Sequence, residues 1–334
     1  MKAALLWMAA TLCFAGEDAF RAGLLALNRG DLPAAQSELE AASKAAPRDG
    51  RVWVALSQVY WRQHKSDDAA AAAQKAATLG ADDASVLQGL SIYYSETRQT
   101  LKAAQAAAKF AAKVPDNAAA REHAAELYFE AARPLLEAQK FAEASTILEE
   151  GAERISKNAQ LELALGVSDY GLRRFNEAAD AFLTVIEIAP ETEQPYTFLG
   201  KILDQIPSRL PQATERFAAY EAAHPEKASA WLLHAKALDA QSLAPETALR
   251  LIEKSIAMDA TDAAAYFERG TVLDRLERFA DAAEAFVRAV ELEPNDAAAH
   301  YRLARDYDRI GKHELAQAER AKHAQLVKAQ EPVR

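Results

Sequence analysis

The stretch that decides the fold is Ala263–Asp296, with the sequence AAAYFERGTVLDRLERFADAAEAFVRAVELEPND. Counted from its first residue, it carries an aromatic, a glycine, a small residue, a second aromatic and a proline at positions 4, 8, 20, 24 and 32: Tyr266, Gly270, Ala282, Phe286 and Pro294. Apolar residues at positions 4, 8 and 11 fall on one face of a helix. Proline then ends a second helix. The stretch therefore predicts two helices that approach each other closely and join by a short turn.

The same spacing continues in phase through the rest of the chain. Nine repeats account for every residue from Gly16 to Gln330, followed by a short tail at 331–334. The predicted repeats are 16–49, 50–83, 84–117, 118–158, 159–192, 193–227, 228–262, 263–296 and 297–330. No single repeat can bury its apolar face alone, so we expect stability to come from stacking of neighbours.

This pattern resembles the tetratricopeptide repeat, whose signature is W-x2-L-G-x2-Y, then A-x3-F, then P, at a period of 34 residues. The resemblance covers residues 16–330. It implies an all-α fold, a right-handed solenoid (superhelix) of tandem helix–turn–helix repeats. It also implies a scaffold that binds proteins or peptides in a concave groove and has no enzymatic activity.

Composition is consistent with a globular protein and argues against nucleic acid as a partner. The chain has 334 residues, of which 50% are hydrophobic and 26% charged. Its net charge is −10, which opposes a general grip on phosphates.

The first fifteen residues, MKAALLWMAATLCFA, resemble a secretory signal peptide, with a lysine, an apolar run and small residues before a cleavage point after Ala15. The apolar run is shorter than the roughly 20 residues that span a bilayer. Cleavage would remove Cys13, the only cysteine. We therefore expect a periplasmic or secreted protein without a transmembrane segment. The alternative is a cytoplasmic adaptor that keeps this segment as a helix.

Two repeats depart from the pattern. Repeat four carries extra residues within Ala131–Lys140, including Pro134, which predict a longer first helix or a loop. The insertion is either a hinge or a variation in length. Repeat nine has Arg320 and His323 at positions that are apolar in repeat eight, which is typical of a polar capping helix.

The family resemblance implies that positions 2, 5, 9, 12 and 13 of each first helix line the groove. In repeats two to five these positions are partly apolar and would suit an extended or helical peptide. The predicted residues include Gln58, Trp61, Ile92, Glu126, Phe129, Val167 and Tyr170. The alternative is that the aromatic residues among them belong to the core.

Repeats six to nine instead place an aspartate at position 12 of every first helix. Their predicted groove residues are Lys201, Asp204, Lys236, Asp239, Thr271, Asp274, Arg305 and Asp308. Residues 159–334 carry 21 basic and 29 acidic side chains. A ladder of free carboxylates would steer a basic partner. The alternative is that each aspartate pairs with the basic residue three positions earlier in its own helix.

No catalytic motif is found in the sequence. The seven histidines form no metal-binding pair with a carboxylate, and no phosphate-binding loop or nucleophile elbow is present. We expect no cofactor, metal or catalytic residue. The expected function is a protein- or peptide-binding scaffold of the cell envelope or exported space. A small-ligand or enzymatic role in the groove is the alternative from another class, and it would require a closed pocket with convergent polar groups.

Overall fold

A computed structural model describes residues 16–330. Within these residues the chain is helical, with short turns and no strand. The α-helices are α1 (16–28), α2 (Leu32–Ala45), α3 (Gly50–Arg62), α4 (Ser66–Leu79), α5 (Ala84–Glu96), α6 (Thr100–Lys113), α7 (Ala118–Glu137), α8 (Phe141–Arg154), α9 (Ala159–Gly171), α10 (Phe175–Ile188), α11 (Glu193–Lys201), α12 (Leu210–Ala223), α13 (Ala228–Ala240), α14 (Pro245–Met258), α15 (Ala263–Arg275), α16 (Phe279–Leu292), α17 (Ala297–Arg309) and α18 (His313–Gln330). The all-α solenoid of helix pairs is confirmed.

Side-chain caps determine where most first helices begin. The residue before the helix is an aspartate or asparagine whose side chain accepts a hydrogen bond from the next turn, as at Asp49, Asp83, Asn117, Asn158, Asp262 and Asp296. Each such cap stabilises a helix by about 1 kcal/mol. The odd-numbered helices α3 to α17 begin at the first residues of repeats two to nine, including α11 and α13, which have no side-chain cap. The full division into nine repeats, with its leader and tail, stays a prediction, and both termini lie outside the described residues.

A second contact recurs at the start of these helices. The side chain at position 4 reaches back to the carbonyl oxygen of the proline six residues earlier. Trp53 Nε1 donates to Pro47 at 3.0 Å, and Trp231 Nε1 donates to Pro225 at 3.0 Å. The proline thus ends one repeat and supplies an acceptor that fixes the next.

The chain forms two compact units, divided between Leu172 and Arg173. The core of the first unit is rich in alanine, with Ala104, Ala124 and Ala144 fully buried. The core of the second unit is built around phenylalanines, and Phe182, Phe217 and Phe286 are fully buried. A Cβ at Gly270 would lie 2.7 Å from Cζ of Phe286, so position 8 must be small where the aromatic residue is large.

The turn inside a repeat requires a left-handed residue at position 15. Glycine takes it in the first and last repeats, where Gly30 has φ +78° and Gly311 has φ +75°. Between them, non-glycine residues adopt the same conformation, such as His64 at +61° and Glu277 at +60°. This conformation costs a residue with a Cβ about 1 kcal/mol.

Repeat six cannot form this turn because its position 15 is Pro207. Proline fixes φ near −65° and disfavours the helical region for the residue before it. Helix α11 accordingly ends after 9 residues, whereas α13 and α15 have 13. A 3-10 turn, Leu203–Gln205, replaces its last turn.

The insertion in repeat four lengthens a helix. Helix α7 has 20 residues and continues through Pro134. Of the two predicted forms, the longer first helix is the one that occurs. Whether this segment is a hinge stays a prediction.

The last helix, α18, has 18 residues that are mostly exposed. Arg320 pairs with Asp308, and His323 Nδ1 lies 2.9 Å from the carbonyl oxygen of Ala297. The polar residues of repeat nine thus hold α18 against α17 through polar contacts.

Candidate binding groove

All the predicted groove residues lie on the first helices of repeats or directly after one. They are Gln58 and Trp61 on α3, Ile92 on α5, Glu126 and Phe129 on α7, Val167 and Tyr170 on α9, Lys201 on α11, Asp204 in the 3-10 turn, Lys236 and Asp239 on α13, Thr271 and Asp274 on α15, and Arg305 and Asp308 on α17. Their role in binding stays a prediction. Asp239 is buried, and the others are half-buried or exposed.

In the first unit the predicted residues form a weakly polar surface. Ile92 is 47% exposed and lines a cavity of about 270 Å³ together with Phe110 and His123. Trp61 and Phe129 are half-buried and pack on the core. Ile92 is therefore the apolar side chain most available to a partner, while the two aromatic residues also serve the core.

In the second unit one larger cavity of about 500 Å³ brings five predicted residues together. They are Lys201, Asp204, Lys236, Asp239 and Thr271. The cavity opens where α11 ends early, because Gly200, Leu203 and Asp204 form its wall against α13 and α15. The proline that breaks the turn of repeat six thus also shapes this site. We call it the α11 cavity.

The charged residues of the α11 cavity pair between repeats. Lys236 Nζ lies 3.1 Å from Glu268 Oε1, and Arg275 Nη1 lies 3.2 Å from Asp239 Oδ1. Asp239 Oδ1 accepts no hydrogen bond from Arg275 despite this short distance. Arg275 donates instead to the backbone carbonyl oxygen of Asp239 and to Ser242 Oγ. Each ion pair therefore joins consecutive repeats.

The two remaining aspartates of the ladder are also paired. Asp274 contacts Arg309 and lies 3.6 Å from Arg302, both in the next repeat. Asp308 contacts Arg320 of α18 and lies 3.2 Å from His313.

The predicted pairs within single helices are not the ones that form. Lys236 and Asp239 form ion pairs with Glu268 and Arg275 of the next repeat. Asp308 pairs with Arg320 of α18. Lys201 and Asp204 are not on one continuous helix, and across residues 16–330 no ion pair joins them. Only an exposed Asp204 remains of the predicted ladder of free carboxylates, so a basic partner for this surface is not supported.

Burial raises the pKa values of two carboxyl groups in this network, Asp239 and Asp306. It raises the pKa of Asp239, although Arg275 opposes the shift. Burial and the neighbouring Asp274 carboxylate raise the pKa of Asp306 to about 6, against the effect of Arg309. The Asp306 side chain is 1% exposed, and its Oδ2 has no hydrogen-bond partner. Helix α17 therefore carries a buried carboxyl group whose pKa is raised well above its usual value.

Sequence reasoning missed four residues of this network: Glu268, Arg275, Arg302 and Arg309. A signal for two of them was present, because Arg275 and Arg309 occupy position 13, which belongs to the family's groove set. Glu268 and Arg302 occupy position 6, outside that set, and only the structure places them at the α11 cavity.

Residues 16–330 contain no group of three or more histidine, cysteine or acidic residues placed to hold a metal ion. None of the helices described in this range is both long enough and apolar enough to cross a membrane.

Comparison with known proteins agrees with the fold. Tetratricopeptide repeat family models match residues 20–84 and 263–296. With the helix pairs and turns that recur through both units, these matches show that the chain is a tetratricopeptide repeat protein. It thus has a fold of the protein-interaction scaffold class, which is generally non-enzymatic.

Solved structures of similar fold include MamA (41-end) from Desulfovibrio magneticus RS-1, at 23% identity and a TM-score of 0.43 over 52% of this chain and 96% of that one. Another is TTC0263, a thermophilic TPR protein of Thermus thermophilus, at 21% identity and a TM-score of 0.45 over 52% of this chain and 93% of that one. Similarity of this size carries no function from one protein to another. No curated protein matches the sequence.

Proposed function

We propose that this chain is a non-enzymatic scaffold that binds a protein or peptide segment along the groove formed by the first helices of its repeats. The observation that carries the proposal is the α11 cavity, because side chains from consecutive first helices line one opening of about 500 Å³. An extended segment or a helix can contact several repeats at once in such a groove.

The proposed location is the periplasm or exported space. It rests on the apolar segment at residues 1–15, which resembles a signal peptide. Amino-terminal sequencing of the protein from cell fractions tests it. A chain that begins at Gly16 in the exported fraction is expected, and an intact Met1 on cytosolic protein would favour the cytoplasmic adaptor.

Groove binding is tested by photo-crosslinking with a probe amino acid introduced at one site at a time. Gln88 faces the cavity of the first unit and Thr271 faces the α11 cavity. Glu150 and Glu291 lie on second helices and serve as controls. We expect the same partner to crosslink from the groove sites and not from the controls. Crosslinks confined to Glu150 or Glu291 would reject the groove.

A further inference from the structure

From the sequence alone, the aspartates at position 12 suggest an acidic groove. In the structure, however, the basic side chains are more exposed than the acidic ones with which they pair. In each ion pair of the α11 cavity the carboxylate side chain is less exposed than the cation with which it pairs. Asp239 is 9% exposed against 41% for Arg275, and Glu268 is 16% against 27% for Lys236. Asp274, just behind the cavity, is 12% exposed against 35% for Arg302.

The lengths of the side chains explain this arrangement. An aspartate ends close to its own helix, whereas arginine and lysine carry their charge outward on an apolar stem. A partner approaching the groove therefore meets guanidinium and ammonium groups first. The less exposed carboxylates hold these cations in place.

Two exposed charges of the cavity have no ion-pair partner in the described chain, Lys201 and Asp204. Lys201 Nζ lies 5.6 Å from the centre of the Phe198 ring and keeps its three N–H donors available. Asp204 is the one exposed acidic residue that lines the cavity, against Lys201 and the three outward cations.

The net negative charge of residues 159–334 does not decide which charges a ligand meets inside the α11 cavity. Charges farther apart than about 8–10 Å are largely screened at physiological salt. A group inside the cavity is therefore governed by the side chains that line it.

We propose that the α11 cavity binds an acidic segment of the partner and seats a side-chain carboxylate among Lys201, Lys236, Arg275 and Arg302. This inference rests on the proposed groove function and names the chemistry of the partner at that site. Arginine suits the role because its planar group retains donors after it has paired with one carboxylate.

The experiment measures binding of the chain to three fluorescent pools of random peptides of equal length, rich in Glu, in Lys or in Gln. Each pool is amidated at its carboxyl end. Lys201→Gln and Asp204→Asn are the informative variants, because both side chains are exposed and neither holds an ion pair. Lys328→Gln is the control, because it removes the same charge from an exposed site on α18. Thermal unfolding of each variant checks that the fold is unchanged.

The Glu-rich pool is expected to bind most tightly. Lys201→Gln should weaken it about three-fold and Asp204→Asn should tighten it by a similar factor, as for single exposed charge contacts. Lys328→Gln should leave it unchanged. Preference for the Lys-rich pool, or tighter binding by Lys201→Gln together with weaker binding by Asp204→Asn, would overturn the inference.

The remaining outcomes separate this inference from the proposed function. If the Glu-rich and Gln-rich pools bind equally and Lys201→Gln changes neither, groove binding stands and the acidic partner is rejected. A further Glu-rich pool with a free carboxyl end tests for recognition of a chain end. If that pool binds and the amidated pools do not, the inference is again rejected. If no pool binds and the partner crosslinks only outside the groove, both proposals fail.

Discussion

The grooves of the two units have the same backbone pattern but different chemistry. In the first unit the most exposed apolar side chain among the predicted groove residues is Ile92, and the aromatic residues of that set are half-buried. In the second unit, ion pairs between repeats line the groove, and a broken turn at Pro207 opens a cavity among them. The two units thus share the repeat signature that fixes the helices and differ in the residues of the predicted groove.

The cores of the two units differ in the size of their side chains. At position 24 the first unit has small or medium residues such as Leu39 and Ala107, and the second has Phe182 and Phe286. The second unit therefore concentrates more of its buried area in single side chains. Replacing a large core residue with a small one should therefore reduce stability most in the second unit.

The largest expected effect is on Phe286. Phe286→Ala should destabilise the second unit by about 3–5 kcal/mol, because it leaves a cavity next to Gly270. Hydrogen exchange should show lost protection in α15 and α16, with less change in α3 and α4. Tyr301→Ala, at a site that is 47% exposed, is the control and should have little effect. Equal losses from both variants would contradict the assignment of the core.

The next effect is a dependence of stability on pH in the second unit. The pKa of Asp306 is raised to about 6 from 3.8, so the folded state holds this proton more tightly than the unfolded state. The stabilisation is present below pH 3.8 and is lost as the pH rises through about 6. Asp306→Asn should therefore stabilise the chain by roughly 1–2 kcal/mol at pH 8 and change it little at pH 4.

Asp308 provides a control of opposite sign. Hydrogen bonds from His313 and Arg320 lower its pKa, so its contribution is present at neutral pH and lost as the pH falls. Asp308→Asn should thus reduce stability at neutral pH and matter less in acid. Urea unfolding of both variants across this range makes the comparison. Parallel pH profiles for the two would contradict the account of the Asp274–Asp306 pair.

A smaller effect is expected on binding at the first unit. Ile92→Ser should weaken a partner that contacts this groove by about 1 kcal/mol, because less apolar area is buried. Leu315→Ser on α18 is a matched control, since Leu315 is 48% exposed against 47% for Ile92. Titration of a crosslinked partner fragment measures both variants. Equal loss at the two sites would reject a specific role for Ile92.

The smallest effect should be the same in both units. His64→Gly and Glu277→Gly should each stabilise the chain by about 0.5–1 kcal/mol, because both residues adopt a positive φ. Glu284→Gly, at an exposed position within α16, should instead destabilise it by a similar amount. Thermal unfolding distinguishes the signs. A loss of stability from the turn variants would contradict the shared turn geometry.

The sequence predicted the helix pairs well because their signals are local. The 34-residue spacing, the caps such as Asp262 and the prolines such as Pro294 all act within a few residues of the chain. The groove helices followed from the same frame.

The ion pairs could not be predicted in this way. Asp239 is three residues from Lys236 in sequence, yet its partner Arg275 lies 36 residues away, in the next repeat. Which side of each pair is buried depends on packing that the sequence does not display. Pro207 was a readable signal, because it stands where the other turns need a positive φ.

The central claim is that partners bind to the first helices of the repeats. Hydrogen exchange of the whole chain, with and without the Glu-rich peptide pool, tests it most directly. The account predicts added protection in α11, α13 and α15, around the α11 cavity. Protection confined to the second helices α12, α14 and α16 would contradict it.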